Sequence, residues 1–306
     1  MSMLIESGAV LEKVGSGAVW AEGPVWLAES RTLRFSDIPN NRILEYSEQS
    51  GELRVYRDDV EFTNGRTLDL DGSVVQCSHG RRAVERERDG VVETIVDRWA
   101  GVRFNSPNDV VVKSDGTIWF SDPSYGIQKP GEGHPGELEY RDHYVFRFDP
   151  RDGSVTPVVI DVEMPNGLAF SPDESLLYVA DSGVSPPDGH RDPNRPGGHS
   201  IHCYDVFDGR RCKNGREFAE VDPGLPDGIR VDEAGNVWTS SLDSVQVFDP
   251  AGNRVERVPV PEKIGNLCFG GEDGRTLYIV ATSSLYRIRT TVRDAAAVLR
   301  GAAAGR

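Results

Sequence analysis

Asn166-Gly167-Leu168-Ala169-Phe170-Ser171-Pro172-Asp173-Glu174-Ser175-Leu176-Leu177-Tyr178-Val179-Ala180 is the stretch on which the fold turns. It opens on a small polar pair, runs as an apolar strand to Phe170, turns through Ser171-Pro172-Asp173 and returns as a second strand over 176–180. The same plan recurs five more times. Its openings are Glu22-Gly23-Pro24-Val25-Trp26, Asn64-Gly65-Arg66-Thr67-Leu68 and Asn108-Asp109-Val110-Val111-Val112, then Asp227-Gly228-Ile229-Arg230-Val231 and Asn266-Leu267-Cys268-Phe269-Gly270. Successive openings lie 42, 44, 58, 61 and 39 residues apart. Return strands are expected at 32–36, 73–77, 117–121, 236–240 and 276–281, with third and fourth strands following less regularly.

A period near 40 residues with about four strands per unit is the signature of a β-propeller blade. Six openings therefore predict an all-β, six-bladed β-propeller occupying residues 1–306 as a single domain. The stretch 9–14 is expected to supply an outer strand that closes the ring on the last blade. The Ala-rich tail, 291–306, is expected to form a short helix or to fray.

The first strand of every blade lines the central channel, and all first strands run the same way. Glu22, Asn64, Asn108, Asn166, Asp227 and Asn266 are therefore expected in one ring at one end of the channel. A single Asn-Gly or Asp-Gly is an ordinary turn dipeptide. Six polar residues at equivalent repeat positions instead specify one mouth.

The ring offers oxygen donors only, which suits a hard cation, Ca²⁺ above all. Glu22 and Asp227 would balance a divalent charge, while Asn108 and Asn166 add amide oxygens, giving a central metal site. Mg²⁺, Mn²⁺ or Zn²⁺ are alternative occupants, although zinc ordinarily takes nitrogen or sulfur. Return strands come back to this end, so the long loops 123–143 and 183–200 overhang the mouth as candidate covers. They hold His134, His143, His190 and His199, and His79 lies on the same face nearer the channel. Asp37, Asp122 and Asp181 end return strands, where they are placed to orient ring amides or a water.

Composition narrows the partners. Lys plus Arg number 34 against 49 Asp plus Glu, a net charge of −15, which argues against nucleic acid or an anionic membrane. No apolar run approaches the length of a bilayer span. Glu6 and Glu12 interrupt any charged-then-apolar leader pattern, so a cytoplasmic location is expected. Cys77, Cys203, Cys212 and Cys268 are scattered, which fits buried thiols better than a zinc knuckle or a disulfide framework.

Several stretches resemble the gluconolactonase/regucalcin (senescence marker protein type) family, the bacterial gluconolactonase branch most of all. They are Ala21-Glu22-Gly23-Pro24-Val25-Trp26, Arg103-Phe104-Asn105-Ser106-Pro107-Asn108-Asp109, Phe120-Ser121-Asp122-Pro123-Ser124-Tyr125-Gly126, Pro165-Asn166-Gly167-Leu168-Ala169-Phe170-Ser171-Pro172, Pro226-Asp227-Gly228 and Asn266-Leu267-Cys268-Phe269-Gly270-Gly271. The resemblance implies one catalytic divalent cation, typically Ca²⁺, and hydrolysis of a sugar lactone such as D-glucono-1,5-lactone. It implies Glu22, Asn166 and Asp227 as ligands, with Asn108 as a fourth, and Arg103 and Asn105 as binders of sugar hydroxyls. Some relatives use an acid three residues beyond the Asp ligand for a second calcium, and here that position is Arg230.

The expected chemistry is metal-assisted hydrolysis, with the cation polarising the carbonyl and Asp227 activating water. Asp122 and His79 stand in reserve as bases on the substrate side, and Asn64 and Asn266 join Arg103 and Asn105 in holding hydroxyls. Two alternatives remain open. One is another ester class in the same site, a phosphotriester, an aryl lactone or an acyl-homoserine lactone; the other is a calcium-binding propeller without catalysis. An overhang rich in Asp, Glu, Arg, His and Gly leans toward sugars. The expected partner is a small-molecule sugar lactone, and the expected state is a monomer or weak homo-oligomer.

Overall fold

The computed structural model describes residues 4–183 and 198–304. Most of the overhang expected at 183–200, His190 included, lies outside the described residues.

Six four-stranded antiparallel sheets follow one another along the chain. The first pairs Ala21–Leu27, Thr32–Asp37, Arg42–Ser47 and Leu53–Asp58 in that order, and the next four repeat this meander. The sixth pairs Ile264–Gly270, Thr276–Ala281 and Ser284–Arg289, then takes its outer strand, Glu12–Ser16, from the start of the chain. The closure expected at 9–14 thus falls a few residues later, with Glu12 opposite Arg287 and Ser16 opposite Ser284.

Burial explains why inner strands read as apolar runs instead of alternating ones. Both faces of an inner strand meet a neighbouring blade, so Ile264–Gly270 and Thr276–Ala281 are buried throughout. Outer strands are largely solvated, as in Leu53–Asp58 and Arg211–Glu220. The apolar core therefore lies between blades. Val75 and Cys77 of the second blade pack with Phe104, Phe120 and Phe146 of the third. Trp119 and Val145 of the third pack with Leu168 and Val179 of the fourth. Trp26 stacks on Tyr278 with ring centroids 5.3 Å apart, joining the first blade to the sixth. All four cysteines are free thiols, three of them buried.

The Gly that follows a ring residue is the place where blades touch. Gly65 N donates to Asn108 O at 2.8 Å, Gly167 N to Asp227 O at 2.9 Å, and Gly228 N to Gly265 O at 2.9 Å. A Cβ on Gly167 would sit 2.3 Å from Asp227 O, and one on Gly228 2.1 Å from the Asn266 side chain. These dipeptides, turn-like as sequence, are inter-blade joints. In the first, second and fourth blades the joint coincides with a β-bulge in the first strand, between Glu22 and Val25 in the first of them.

Beneath the ring the channel is filled. Arg66, 1% exposed, donates to Gly23 O at 3.0 Å, Ser36 Oγ at 2.9 Å and Thr63 Oγ1 at 3.2 Å. Burial pulls its pKa down to about 10, which leaves it charged at neutral pH. Arg230 faces the buried Asp109 carboxylate at 3.7 Å. The tail forms the helix Ala295–Ala304, its N-terminus capped by Asp294, which accepts from Ala296 N at 2.7 Å.

Candidate active site and cation ring

At the mouth reached by the loop 123–143 lies a cavity of about 280 Å³. Glu22, Asn64, Asn108, Asn166 and Asp227 line it together, five of the six residues at the repeat positions. The sixth, Asn266, stands behind them. Its Nδ2 donates to Glu22 Oε2 at 3.1 Å, its Oδ1 accepts from Leu267 N at 2.8 Å, and it is 2% exposed. Asn266 is therefore a support for Glu22, in place of the expected binder of hydroxyls.

Each ring group is held by the repeat. Glu22 Oε2 also accepts from Gly23 N at 3.0 Å. Asn166 Nδ2 donates to Ser182 Oγ at 3.2 Å, and that hydroxyl donates to Pro226 O at 2.7 Å, next to Asp227. Asp227 N donates to Ser240 Oγ at 2.9 Å. His79 is fully buried, and its Nδ1–H donates to Glu132 O at 2.8 Å. Burial lowers its proton affinity, so Nε2 of the neutral ring is an acceptor for Asn64 Nδ2 at 3.3 Å. Asn64 Oδ1 has no hydrogen-bond partner among the described residues.

The electrostatics single out the two acids. Burial, and next the Asp227 charge, push the Glu22 carboxyl well above the usual range. Burial pushes Asp227 up to about 7, against the pull of Lys263 and Lys129. Two buried like charges with amide oxygens around them suit a hard divalent ion, and the orphaned Asn64 oxygen awaits a partner in the same place. Among the described residues no group of three or more His, Cys, Asp or Glu side chains is placed to hold a metal. A cation here would rest on Glu22, Asp227 and the amides of Asn108 and Asn166.

Besides Asn266, four residues expected on the substrate side, Asn105, Asp122, Arg103 and His79, do not line this cavity. Asn105 is fully buried and spends its amide N–H groups on Asp122 O, Tyr140 Oη and Asp142 O, at 3.0, 2.7 and 2.9 Å. Asp122 accepts from Asn105 N and Ser106 N, each at 2.7 Å, and from Tyr140 Oη at 2.6 Å. Arg103 reaches Arg81 O at 3.1 Å. His79 acts through Asn64, outside the lining. The return-strand acids share one task, which is to pin the chain just ahead of a ring residue. Asp37 accepts from Val19 N at 2.8 Å and Asp181 from Met164 N at 3.1 Å, as Asp122 does ahead of Asn108.

The rest of the lining includes Trp20, Tyr125, Lys129, Glu132, Ser182 and Lys263, none of them a sequence candidate. A signal existed for two of these. Trp20 and Lys263 stand two and three residues ahead of ring positions, so the repeat that set the ring also sets them at its rim. Two wider depressions, about 510 and 630 Å³, lie away from the ring, among internally satisfied pairs such as Arg289–Asp273 and Arg147–Asp149.

The fold and the ring define a class, six-bladed propellers with an oxygen-donor ring at one channel mouth. Residues 20–283 match the family described as SMP-30/Gluconolactonase/LRE-like region, and the chain belongs to that family. It is 30% identical to a gluconolactonase of Zymomonas mobilis, over 95% of this chain and 84% of that protein. It is 30% identical to a pentonolactonase of Haloferax volcanii, over 84% and 80%. A solved gluconolactonase structure from Xanthomonas campestris superposes with a TM-score of 0.85 at 36% identity, covering 94% of this chain and 91% of the other.

Proposed function

We propose that the protein hydrolyses a sugar lactone to the aldonic acid at the ring, with a divalent cation, Ca²⁺ by donor type, held by Glu22, Asn108, Asn166 and Asp227. The observation that carries this reading is the pairing of Glu22 and Asp227 in one polar cavity, in a family whose relatives include lactonases. Polarisation of the lactone carbonyl and stabilisation of the oxyanion are the chemistry a bound cation supplies.

The chain's own residues do the rest. Asp227, the ring carboxylate of the fifth blade, takes the proton from the attacking water. Asn64 Oδ1 accepts from a sugar hydroxyl, its amide oriented by His79. Ser182 fixes the Asn166 amide so that its oxygen is free to turn to the cavity. The acids and amides of the ring favour a hydroxylated lactone over an alkyl one.

The test is proton release from D-glucono-1,5-lactone, corrected for spontaneous opening, with Ca²⁺, after chelation, and in Asp227→Asn. Turnover that needs the metal and is lost in the variant supports the reading. Ca²⁺ binding without turnover of any lactone would remove it.

A further inference from the structure

The rim of the cavity has a feature that neutral sugar lactones do not require. Lys263 Nζ lies 5.1 Å from the centroid of the Trp20 ring, and Lys129 Nζ lies 5.9 Å from the same centroid. All three residues line the cavity, and both lysines are exposed. The main chain of Trp20 is fixed, because its backbone N–H donates to Asp37 Oδ1 at 3.4 Å and its carbonyl accepts from Ile38 N at 3.2 Å, which sets where the indole leaves the chain. An indole face at this rim attracts ammonium groups to its π system.

Lys129 is ion-paired with Glu132, whereas Lys263 forms no salt bridge with a described residue. In a chain with 49 acidic and 34 basic side chains, a rim lysine with no salt bridge to a described residue, its charge reaching Asp227 only at longer range, stands out. The cavity's own charges are Glu22, Asp227 and Glu132 against Lys129 and Lys263, one net negative. Once a divalent cation is held, the same cavity carries one net positive charge inside a strongly acidic protein.

We propose that the lactone taken here bears a second, anionic group, such as a phosphate, sulfonate or carboxylate, and that Lys263, with Lys129, binds it beside Trp20. The proposal rests on the lactone-hydrolase reading and makes the two lysines specificity determinants for it.

The experiment compares kcat/KM for D-glucono-1,5-lactone and its 6-phosphate in the Ca²⁺-loaded protein. Calorimetry with gluconate and 6-phosphogluconate, with and without Ca²⁺, gives a second readout. The phosphorylated lactone is expected to be preferred by about two- to fivefold, the reach of one partly exposed ion pair. Added salt should shrink the preference. Lys263→Met should abolish most of it, and Lys129→Met/Lys263→Met the remainder; both sites are exposed, so the variants keep the fold. A carboxylate-bearing lactone run beside the phosphate separates a demand for phosphate from one for any anion. Equal or lower kcat/KM for the phosphorylated lactone, or a preference that survives Lys263→Met, would overturn the proposal. If no lactone is turned over, the lactonase reading falls, and calorimetry then decides alone. Tighter binding of 6-phosphogluconate that Lys263→Met weakens keeps the anion site, and equal affinities remove it.

Discussion

Asn266 Nδ2 donates to Glu22 Oε2 across 3.1 Å, bridging residues 244 positions apart in the chain. The bond ties a ligand candidate of the first blade to the last blade. Asn266→Ala should therefore lower Ca²⁺ affinity by about 10- to 100-fold, the usual cost of losing a group that orients a metal ligand. Calorimetric titration checks it; affinity equal to wild type would show that Glu22 needs no such support.

Asp227→Asn should separate stability from activity. Burial and neighbouring acids disfavour the charge at Asp227, so the neutral amide relieves the metal-free protein. Its metal-free melting temperature at slightly alkaline pH is expected to rise while turnover falls by about 10²- to 10⁴-fold. A lower melting temperature would mean that the carboxylate stabilises the empty ring.

Asp122 should leave a pH signature. Burial raises its carboxyl to about 7, against an ordinary 3.8. The stability that comes from the protonated acid is full below about pH 4 and is lost as pH rises through about 7. Asp122→Asn is neutral at every pH, and its amide opposes backbone N–H donors, at a constant cost of about 1–3 kcal/mol. Relative to this variant, wild type is expected to lose stability between those two pH values and to run parallel above them. Denaturant melts across the range test it, and parallel curves throughout would contradict the burial argument.

Gly167→Ala probes the inter-blade joints. The new Cβ meets Asp227 O at 2.3 Å and Ile229 N at 2.8 Å, both backbone atoms that cannot swing aside. A loss of about 1–3 kcal/mol in denaturant unfolding is expected. Weaker Ca²⁺ binding should accompany it, because the clash moves Asp227. An unchanged midpoint would show that the fourth and fifth blades part more easily than their contact suggests.

Much of this architecture was legible because each blade writes its inner hairpin locally. The return strand expected at 276–281 is Thr276–Ala281, and the one expected at 176–180 gains only Asp181. Equivalent repeat positions placed Glu22, Asn64, Asn108, Asn166 and Asp227 around one cavity. Outer strands such as Arg211–Glu220 were harder to read, since a solvated edge carries charge without a strict period. Tyr125, Lys129 and Glu132 come from a loop whose course follows no repeat. Asn105 and Asp122 show a different limit. Sequence brings them near the ring, but only coordinates reveal that the Asp122 carboxylate is taken up by Asn105 N, Ser106 N and Tyr140, and the Asn105 Nδ2 group by Asp122 O, Tyr140 and Asp142 O.

The outer strand of the sixth blade is Glu12–Ser16, locked by an ion pair between Glu12 and Arg287 at 2.8 Å. On a chain growing from the ribosome, those early residues wait with an open edge until residues 284–289 emerge to receive them. Five blades can assemble in order of synthesis, but the circle cannot shut before the sixth is made. The Glu22–Asn266 bond spans that same seam. The proposed cation site is thus completed late in biosynthesis, once the first and sixth blades have met.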